Sequence, residues 1–209
     1  MDIQIWLAFV AASTALLLIP GPTVLLVLSY AISQGRRVAL ATVAGVVLGD
    51  LLAMTASLAG LGALVLASAV LFTVLKWIGA AYLIYLGVGL IRSAAHPTPG
   101  MVQDVARAPA GRVFAHAAAV TALNPKSIVF FIAFVPQFVS ADHALAPQFA
   151  VLTATFVSLA AINALLCAVL ADRLRGKIAR PAVLARLSRL GGAALIAMGL
   201  ATVAFKRAT

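Results

Sequence analysis

The chain has 209 residues, of which 64% are hydrophobic and only 10% are charged, and its mean hydropathy is +1.14. Soluble domains carry about 25% charged residues, so this composition excludes a water-facing globule and predicts a protein that lies in a lipid bilayer. The formal net charge is +10, but the basic residues lie in short segments between long apolar runs. That arrangement is typical of helix orientation in membranes, and we predict no nucleic-acid partner.

Six apolar segments reach the length of about 20 residues that a transmembrane helix needs. The first segment begins with Asp2 and no nearby Lys or Arg, which is wrong for a signal peptide, so we expect it to remain in the mature protein. The sequence therefore predicts an all-α membrane protein of six transmembrane helices. The segments cover residues 4–33, 38–66, 70–91, 112–138, 147–171 and 188–205.

The positions of Lys and Arg predict how these helices are oriented. Eleven basic residues follow the first, third and fifth segments, whereas Lys206 and Arg207 at the C-terminus are the main ones on the opposite side. The positive-inside rule then puts the three basic loop regions in the cytoplasm and both termini outside. The eleven residues are Arg36, Arg37, Arg92, Arg107, Arg112, Arg173, Arg175, Lys177, Arg180, Arg186 and Arg189.

An internal repeat relates the two halves of the chain. Residues 78–87 and 190–199 share both glycines, an alanine, a leucine and an isoleucine, and the first and fourth segments share a mid-segment proline. Because each half has three spans, the halves must be inverted, and inverted repeats with matching broken helices are typical of secondary transporters. We predict a 3+3 inverted repeat, with halves 1–92 and 112–209 and a proline-containing cytoplasmic linker at 93–111. Chance similarity between two glycine-rich helices is the alternative.

The prolines in segments 1 and 4 predict two helix breaks at one depth. Pro22 lies fourteen residues from Arg36 and Asn124 twelve from Arg112, so both lie about 18–21 Å from the cytoplasmic boundary. The freed carbonyls need partners from protein or water, and the half-helices that follow offer N–H groups to an anion such as a carboxylate. A kink that only shapes packing is the alternative. The candidate substrate-binding residues at the breaks are Pro20, Gly21, Pro22, Thr23, Asn124, Pro125, Lys126 and Ser127.

Asp50 is the one carboxylate that lies far from any loop, thirteen residues beyond Arg37. A charge at the centre of a membrane costs about 2.5–3.5 kcal/mol, which predicts a role in binding a substrate ammonium group, in proton coupling, or in a permanent pair with a lysine. Lys126 lies near the same depth and would either reinforce a carboxylate site or neutralise Asp50. Asn163 would bind substrate or only join helices. We include Asp50 and Asn163 among the candidate substrate-binding residues.

Other classes of site find no support in the sequence. The single cysteine, Cys167, excludes an internal disulfide and fits a small packing residue. The histidines are scattered, and no nucleophile–base pair is visible, so we predict no metal, no cofactor, no catalytic residue and no enzyme. Gly45 and Gly49 form a GxxxG motif, which predicts a close helix–helix contact. Transport of another solute or ion, a non-transporting membrane subunit and homo-oligomerisation remain open.

Several of these motifs together resemble the LysE/RhtB family of amino-acid exporters. They occur in family order over nearly the whole chain, at residues 18–22, 45–50, 75–87, 123–127 and 130–138. The resemblance implies efflux of an amino acid or a derivative across the bacterial inner (plasma) membrane, driven by proton exchange. The homoserine, threonine and leucine branch is the most similar, but it often has Asn where this chain has Thr23, so the substrate stays open.

Overall fold

The computed structural model describes residues 2–19, 21–94, 107–140, 143–171 and 181–205, and its regular structure there is helical. Each predicted apolar segment corresponds to one helix or to one pair of helices separated by a short break. Pro20 and most of the predicted linker, residues 95–106, lie outside the described residues. The elements are α1 (Ile3–Leu18), α2 (Pro22–Gln34), α3 (Arg36–Ala67), α4 (Ala69–Ser93), α5 (Ala110–Ala122), α6 (Pro125–Phe134), a 3₁₀ turn (Val135–Phe138), α7 (Leu145–Val169) and α8 (Pro181–Phe205).

Two of the predicted segments form bent pairs of helices. The axes of α1 and α2 differ by 57°, and those of α5 and of α6 with its 3₁₀ turn differ by 44°. Pro22 and Pro125 each occupy the first turn of the second helix of a pair, where the missing N–H costs no helical hydrogen bond. Proline therefore starts a new helix at each break and changes its direction.

The described helices include clear candidates for membrane spans. Arg36–Ala63 of α3 and Leu145–Val169 of α7 are each long and apolar enough to cross a bilayer, and each bent pair qualifies when counted as one span. The described residues thus contain two to four candidate spans by length and composition. Helices α4 and α8 have 25 residues each, and they correspond to the third and sixth predicted segments.

The GxxxG motif of α3 packs directly on α5, as predicted. A Cβ atom added to Gly49 would lie 2.6 Å from both Ala118 O and Thr121 Cβ, and one added to Gly45 would overlap Phe114 O. Side chains larger than hydrogen at these two positions would force the helices apart. Helix α5, which is the first helix of the second bent pair, therefore lies directly against the middle of α3.

Helices α4 and α8 also pack closely, through glycines of the sequence repeat. A Cβ on Gly87 would lie 2.5 Å from Gly192 O and 2.6 Å from Ile196 Cγ1. A Cβ on Gly199 would lie 2.7 Å from both Ala80 O and Ile84 Cγ1. The alignment of residues 78–87 with 190–199 relates these two contacts. It pairs Gly87 with Gly199, Ala80 with Gly192 and Ile84 with Ile196.

Two hydrophobic clusters fill the space between the helices. The larger one is aromatic, and its rings come mainly from α1, α6 and α7; it includes Phe9, Phe130, Phe131, Phe134 and Phe156. The smaller one contains aliphatic residues and the predicted packing residue Cys167; its other members are Val27, Leu28, Val46, Ala117, Ala164 and Ala171. The candidate site lies where these two clusters meet.

Candidate functional site

A cavity of about 40 Å³ lies between the two helix breaks and the middle of α3 and α7. At roughly 10–15 Å³ for each water molecule, it has room for about three waters. Seven of the ten predicted substrate-binding residues line it, whereas Pro22 and Pro125 do not and Pro20 lies outside the described residues. The seven are Gly21, Thr23, Asp50, Asn124, Lys126, Ser127 and Asn163.

Lys126 uses its ammonium group on the carbonyls of the other broken helix pair. Its Nζ donates to Leu16 O at 3.0 Å and to Ile19 O at 3.1 Å. These carbonyls belong to the end of α1, where the last turn has no helical N–H partners. The freed carbonyls that the sequence predicted at this break thus receive a partner from protein, and it is a charged one.

Two asparagines complete the connections around the breaks. Asn163 of α7 donates from Nδ2 to Leu17 O at 3.3 Å, so it joins helices and also lines the cavity. Asn124 caps α6 by accepting from Lys126 N at 3.0 Å, and its Nδ2 donates to Thr23 Oγ1 at 3.3 Å. The residues that follow the two breaks are therefore in direct contact with each other.

Asp50 is buried in the cavity wall. Its side chain is 3% exposed, and among the described residues no hydrogen bond or ion pair reaches its carboxylate, including from Lys126. A lone buried carboxylate is costly in an apolar bundle. The predicted alternative of a permanent pair between Asp50 and Lys126 does not occur in this conformation, since Lys126 is bound to the α1 carbonyls.

The rest of the cavity wall is apolar, and sequence reasoning missed most of it. Helix α7 contributes Phe156, Ala160, Ala164 and Cys167 in addition to Asn163. The spacing of these residues follows one face of a helix, so Asn163 and helical periodicity together were the signal that could have found them. Other aliphatic wall residues come from α1, α2 and α3: Leu16, Leu17, Ile19, Val24, Val27 and Val46.

The charges of the cavity suit a zwitterion. Its described lining contains one carboxylate, Asp50, and one ammonium group, Lys126, and all its other side chains are neutral. An amino acid carries one charge of each sign on neighbouring atoms. Opposite charges of the ligand and the wall can therefore be matched within a small volume that excludes most water.

A bundle of apolar helices with two broken pairs that meet at a cavity with a carboxylate and an ammonium group is the arrangement expected of a secondary transporter. A family model described as the LysE type translocator matches residues 5–204. The chain belongs to this family, which is a family of transporters, and the resemblance found in the sequence is confirmed.

Named relatives extend over most of the chain. An uncharacterized membrane protein of Vibrio cholerae is 34% identical over 200 residues, which are 96% of this chain and 97% of the relative. The homoserine/homoserine lactone efflux protein of Salmonella typhi is also 34% identical, over 95% of this chain and 96% of its own length. The leucine efflux protein of Klebsiella pneumoniae is 29% identical over 66% of this chain and 64% of its own length. No solved structure matches the chain.

Proposed function

We propose that the protein exports a small neutral amino acid, or an amino-acid derivative, from the cytoplasm across the bacterial inner membrane. The observation that carries this proposal is the single cavity that joins both helix breaks to Asp50 and Lys126. Membership of a translocator family and the names of two relatives, which are efflux proteins for homoserine and for leucine, support it. In this proposal the protein is a transporter and not an enzyme.

The proposed architecture is six spans in two inverted repeats, 1–92 and 112–209, joined by the cytoplasmic linker 93–111, with both termini outside. The matched glycine contacts of α4 and α8 support the inversion, because an axis that exchanges the repeats would also exchange these contacts. Inverted repeats alternate access to a central site when one repeat rocks against the other. We expect such a movement to change the hydrogen bonds between the two breaks.

In the proposed mechanism, the ends of the cargo bind to different parts of the cavity. The N-termini of α2 and α6, near Thr23 and Ser127, hold the carboxylate with the help of Lys126. Asp50 holds the ammonium group or a proton, so that a proton from outside displaces the cargo and drives export. Asn163 supports this arrangement from α7, where it also holds the end of α1.

The side chain of the cargo would meet the apolar wall formed mainly by α7. Phe156 and Ala160 present no charge and no hydrogen-bonding group, so a charged side chain would lose its hydration without compensation. This favours neutral cargo, such as a branched aliphatic or a small hydroxylated amino acid, over lysine, arginine or glutamate.

A growth-inhibition panel tests the function. Cells that overproduce the protein are challenged with each amino acid and with toxic analogues, and cells with an empty plasmid serve as the control. We expect resistance to one or more neutral compounds, together with faster appearance of the same compound in the medium. Resistance to none of them would contradict the proposal.

The panel also separates the remaining alternatives. A transporter of another solute or ion would give resistance only outside the amino-acid set, when salts and other metabolites are included. A membrane subunit that supports a partner would give no resistance, and its polar cavity residues would tolerate apolar replacement. The buried carboxylate of Asp50, which has no partner among the described residues, favours a transporter. A purely structural subunit has no need to bury such a costly group.

A further inference from the structure

The end of α1 presents a group of backbone carbonyls to the cavity. The carbonyl oxygens of Leu16, Leu17 and Ile19 each accept a hydrogen bond from a side chain of the other half of the chain. Leu16 O also accepts from Ile19 N at 3.3 Å. In a continuous helix Leu16 would pair with residue 20, which is proline and has no N–H. The break thus leaves carbonyl oxygens that need hydrogen-bond donors from outside α1.

The group that satisfies two of these acceptors is a primary ammonium. The ammonium group of Lys126 carries three N–H donors and no acceptor, and it approaches Leu16 O and Ile19 O at ordinary hydrogen-bond distances. The same type of group forms one end of every amino acid. The cavity wall also contains the unpaired carboxylate of Asp50, which is the ordinary counter-ion of such a group.

We propose that the carbonyls of Leu16 and Ile19 form a binding site for the primary ammonium group of the cargo, with Asp50 as a more distant counter-charge in the same cavity, and that Lys126 occupies this site while the transporter is empty. Cargo then enters by exchange, in which its ammonium group replaces that of Lys126. The released lysine turns to the carboxylate of the cargo. The proposal rests on the proposed function in that the cargo carries an amino group.

The size of the cavity supports the exchange. About 40 Å³ of space for water-sized groups is small beside an amino acid, so we expect a lining group to move when cargo binds. Lys126 has the longest flexible side chain in the lining.

The free-energy cost of unpaired carbonyls means that Lys126 must be replaced by another hydrogen-bond donor when it leaves. In an apolar bundle the oxygens of Leu16 and Ile19 cannot turn to bulk water, so the departure of Lys126 alone is unfavourable. An incoming ammonium group restores the same hydrogen bonds, and the carboxylate of the cargo gives the released Lys126 a new partner. Lys126 therefore leaves when a compound with both an amino group and a carboxylate arrives, and an acid without an amino group leaves it in place.

The test uses Lys126→Met, which removes the ammonium group and keeps a long side chain. The purified protein in detergent is heated with methylammonium chloride, which can donate hydrogen bonds, or with tetramethylammonium chloride, which has the same charge and no N–H. We expect methylammonium to raise the Tm of Lys126→Met by a few degrees and tetramethylammonium to leave it unchanged. In the unchanged protein neither salt should raise the Tm, because Lys126 fills the site and neither salt offers a carboxylate as a new partner for the lysine.

Equal effects of the two salts on Lys126→Met, or an equal rise with methylammonium in the unchanged protein, would overturn the proposal. If Lys126→Met does not accumulate in the membrane, cells are grown with either salt and the amount of inserted protein is measured. Recovery with methylammonium alone supports the site, and no recovery contradicts it. These readouts involve no transport, so they can succeed or fail independently of the growth panel.

Discussion

The charged and amide side chains described in the cavity divide into those with hydrogen-bond partners and Asp50, which has none there. Lys126, Asn124 and Asn163 each make contacts across the break region, and their loss would disturb the backbone as well as any ligand. Asp50 makes none, although it is 3% exposed. A group that is costly to bury and holds nothing in place is best explained by what binds to it.

Asp50→Asn tests this explanation, because asparagine has nearly the same volume and no charge. We expect export to fall by about 100-fold, the size of effect that follows the loss of one partner of a buried charge pair at roughly 2–5 kcal/mol. The Tm should stay unchanged or rise, since no internal contact is lost and a buried charge is removed. Export is measured by efflux of the cargo that the panel identifies.

Asp50→Glu is the matched control for that change. It keeps the carboxylate and moves it by one methylene group, so we expect partial export with a raised KM. Normal export by Asp50→Asn would rule out both the ammonium-binding and the proton-coupling roles. A lower Tm in Asp50→Asn would instead indicate that the carboxylate holds the structure together.

Two features of the helices bring these residues together: the breaks at the prolines and the close contacts at the glycines. The breaks place α2 and α6 inside the bundle, and the GxxxG face of α3 brings α5 close enough to position the second break. Asp50 directly follows Gly49 in the chain. The depth of the carboxylate relative to the second break is therefore fixed by backbone contact between α3 and α5.

Gly49→Ala is expected to destabilise the protein by about 1–3 kcal/mol, which is typical of overpacking. The added methyl would lie 2.6 Å from Ala118 O and Thr121 Cβ, so α5 must shift. Gly60→Ala in the same helix is the control, since nothing lies within 4 Å of its added Cβ. Thermal unfolding in detergent should show a lower Tm for the first variant and no loss for the second; equal Tm values would contradict the close α3–α5 contact.

The breaks and the GxxxG face were predictable because proline and glycine have local effects that do not depend on surroundings. Counting residues along a helix of known rise predicted that Asp50 lies level with the breaks, and Asp50 lines the same cavity as the residues at the breaks. The α7 wall was not predictable, because a helix between lipid and an apolar core is hydrophobic on all sides, and Phe156 looks no different from a lipid-facing residue. The partners of Lys126 were missed for another reason: sequence gives the depth of a side chain, and its direction depends on packing.

At the scale of the whole molecule, two of the regions where the two halves meet differ in character. Helices α4 and α8 pack through glycine, with contacts that match residue by residue across the repeat. The breaks meet through polar side chains, and there the halves differ: Lys126 directly follows Pro125, whereas Thr23 directly follows Pro22. We expect the glycine contact between α4 and α8 to stay in place during transport and to act as the axis of movement. The hydrogen bonds between the breaks can exchange partners, so we expect the cavity to open there.

The basic loops predict the orientation of the chain in the membrane, and introduced cysteines can test this prediction. The natural chain has only Cys167, which is buried, so Cys167→Ala provides a background without thiols. His143→Cys lies between the 3₁₀ turn and α7, and Gly111→Cys lies at the start of α5, at positions that are both exposed. The two sites are at opposite ends of the α5–α6 pair.

We expect a membrane-impermeant maleimide to label His143→Cys in spheroplasts and to label Gly111→Cys only after the membrane is permeabilised. The physical reason is the positive-inside rule, which keeps the arginine-rich start of α5 in the cytoplasm. The reverse pattern would leave the cavity and its chemistry unchanged, but it would turn the proposed path around. Asp50 and the breaks would then lie about 18–21 Å from the outer boundary instead of the inner one, and cargo from the cytoplasm would have to reach them past the aromatic cluster of Phe9, Phe130 and Phe134.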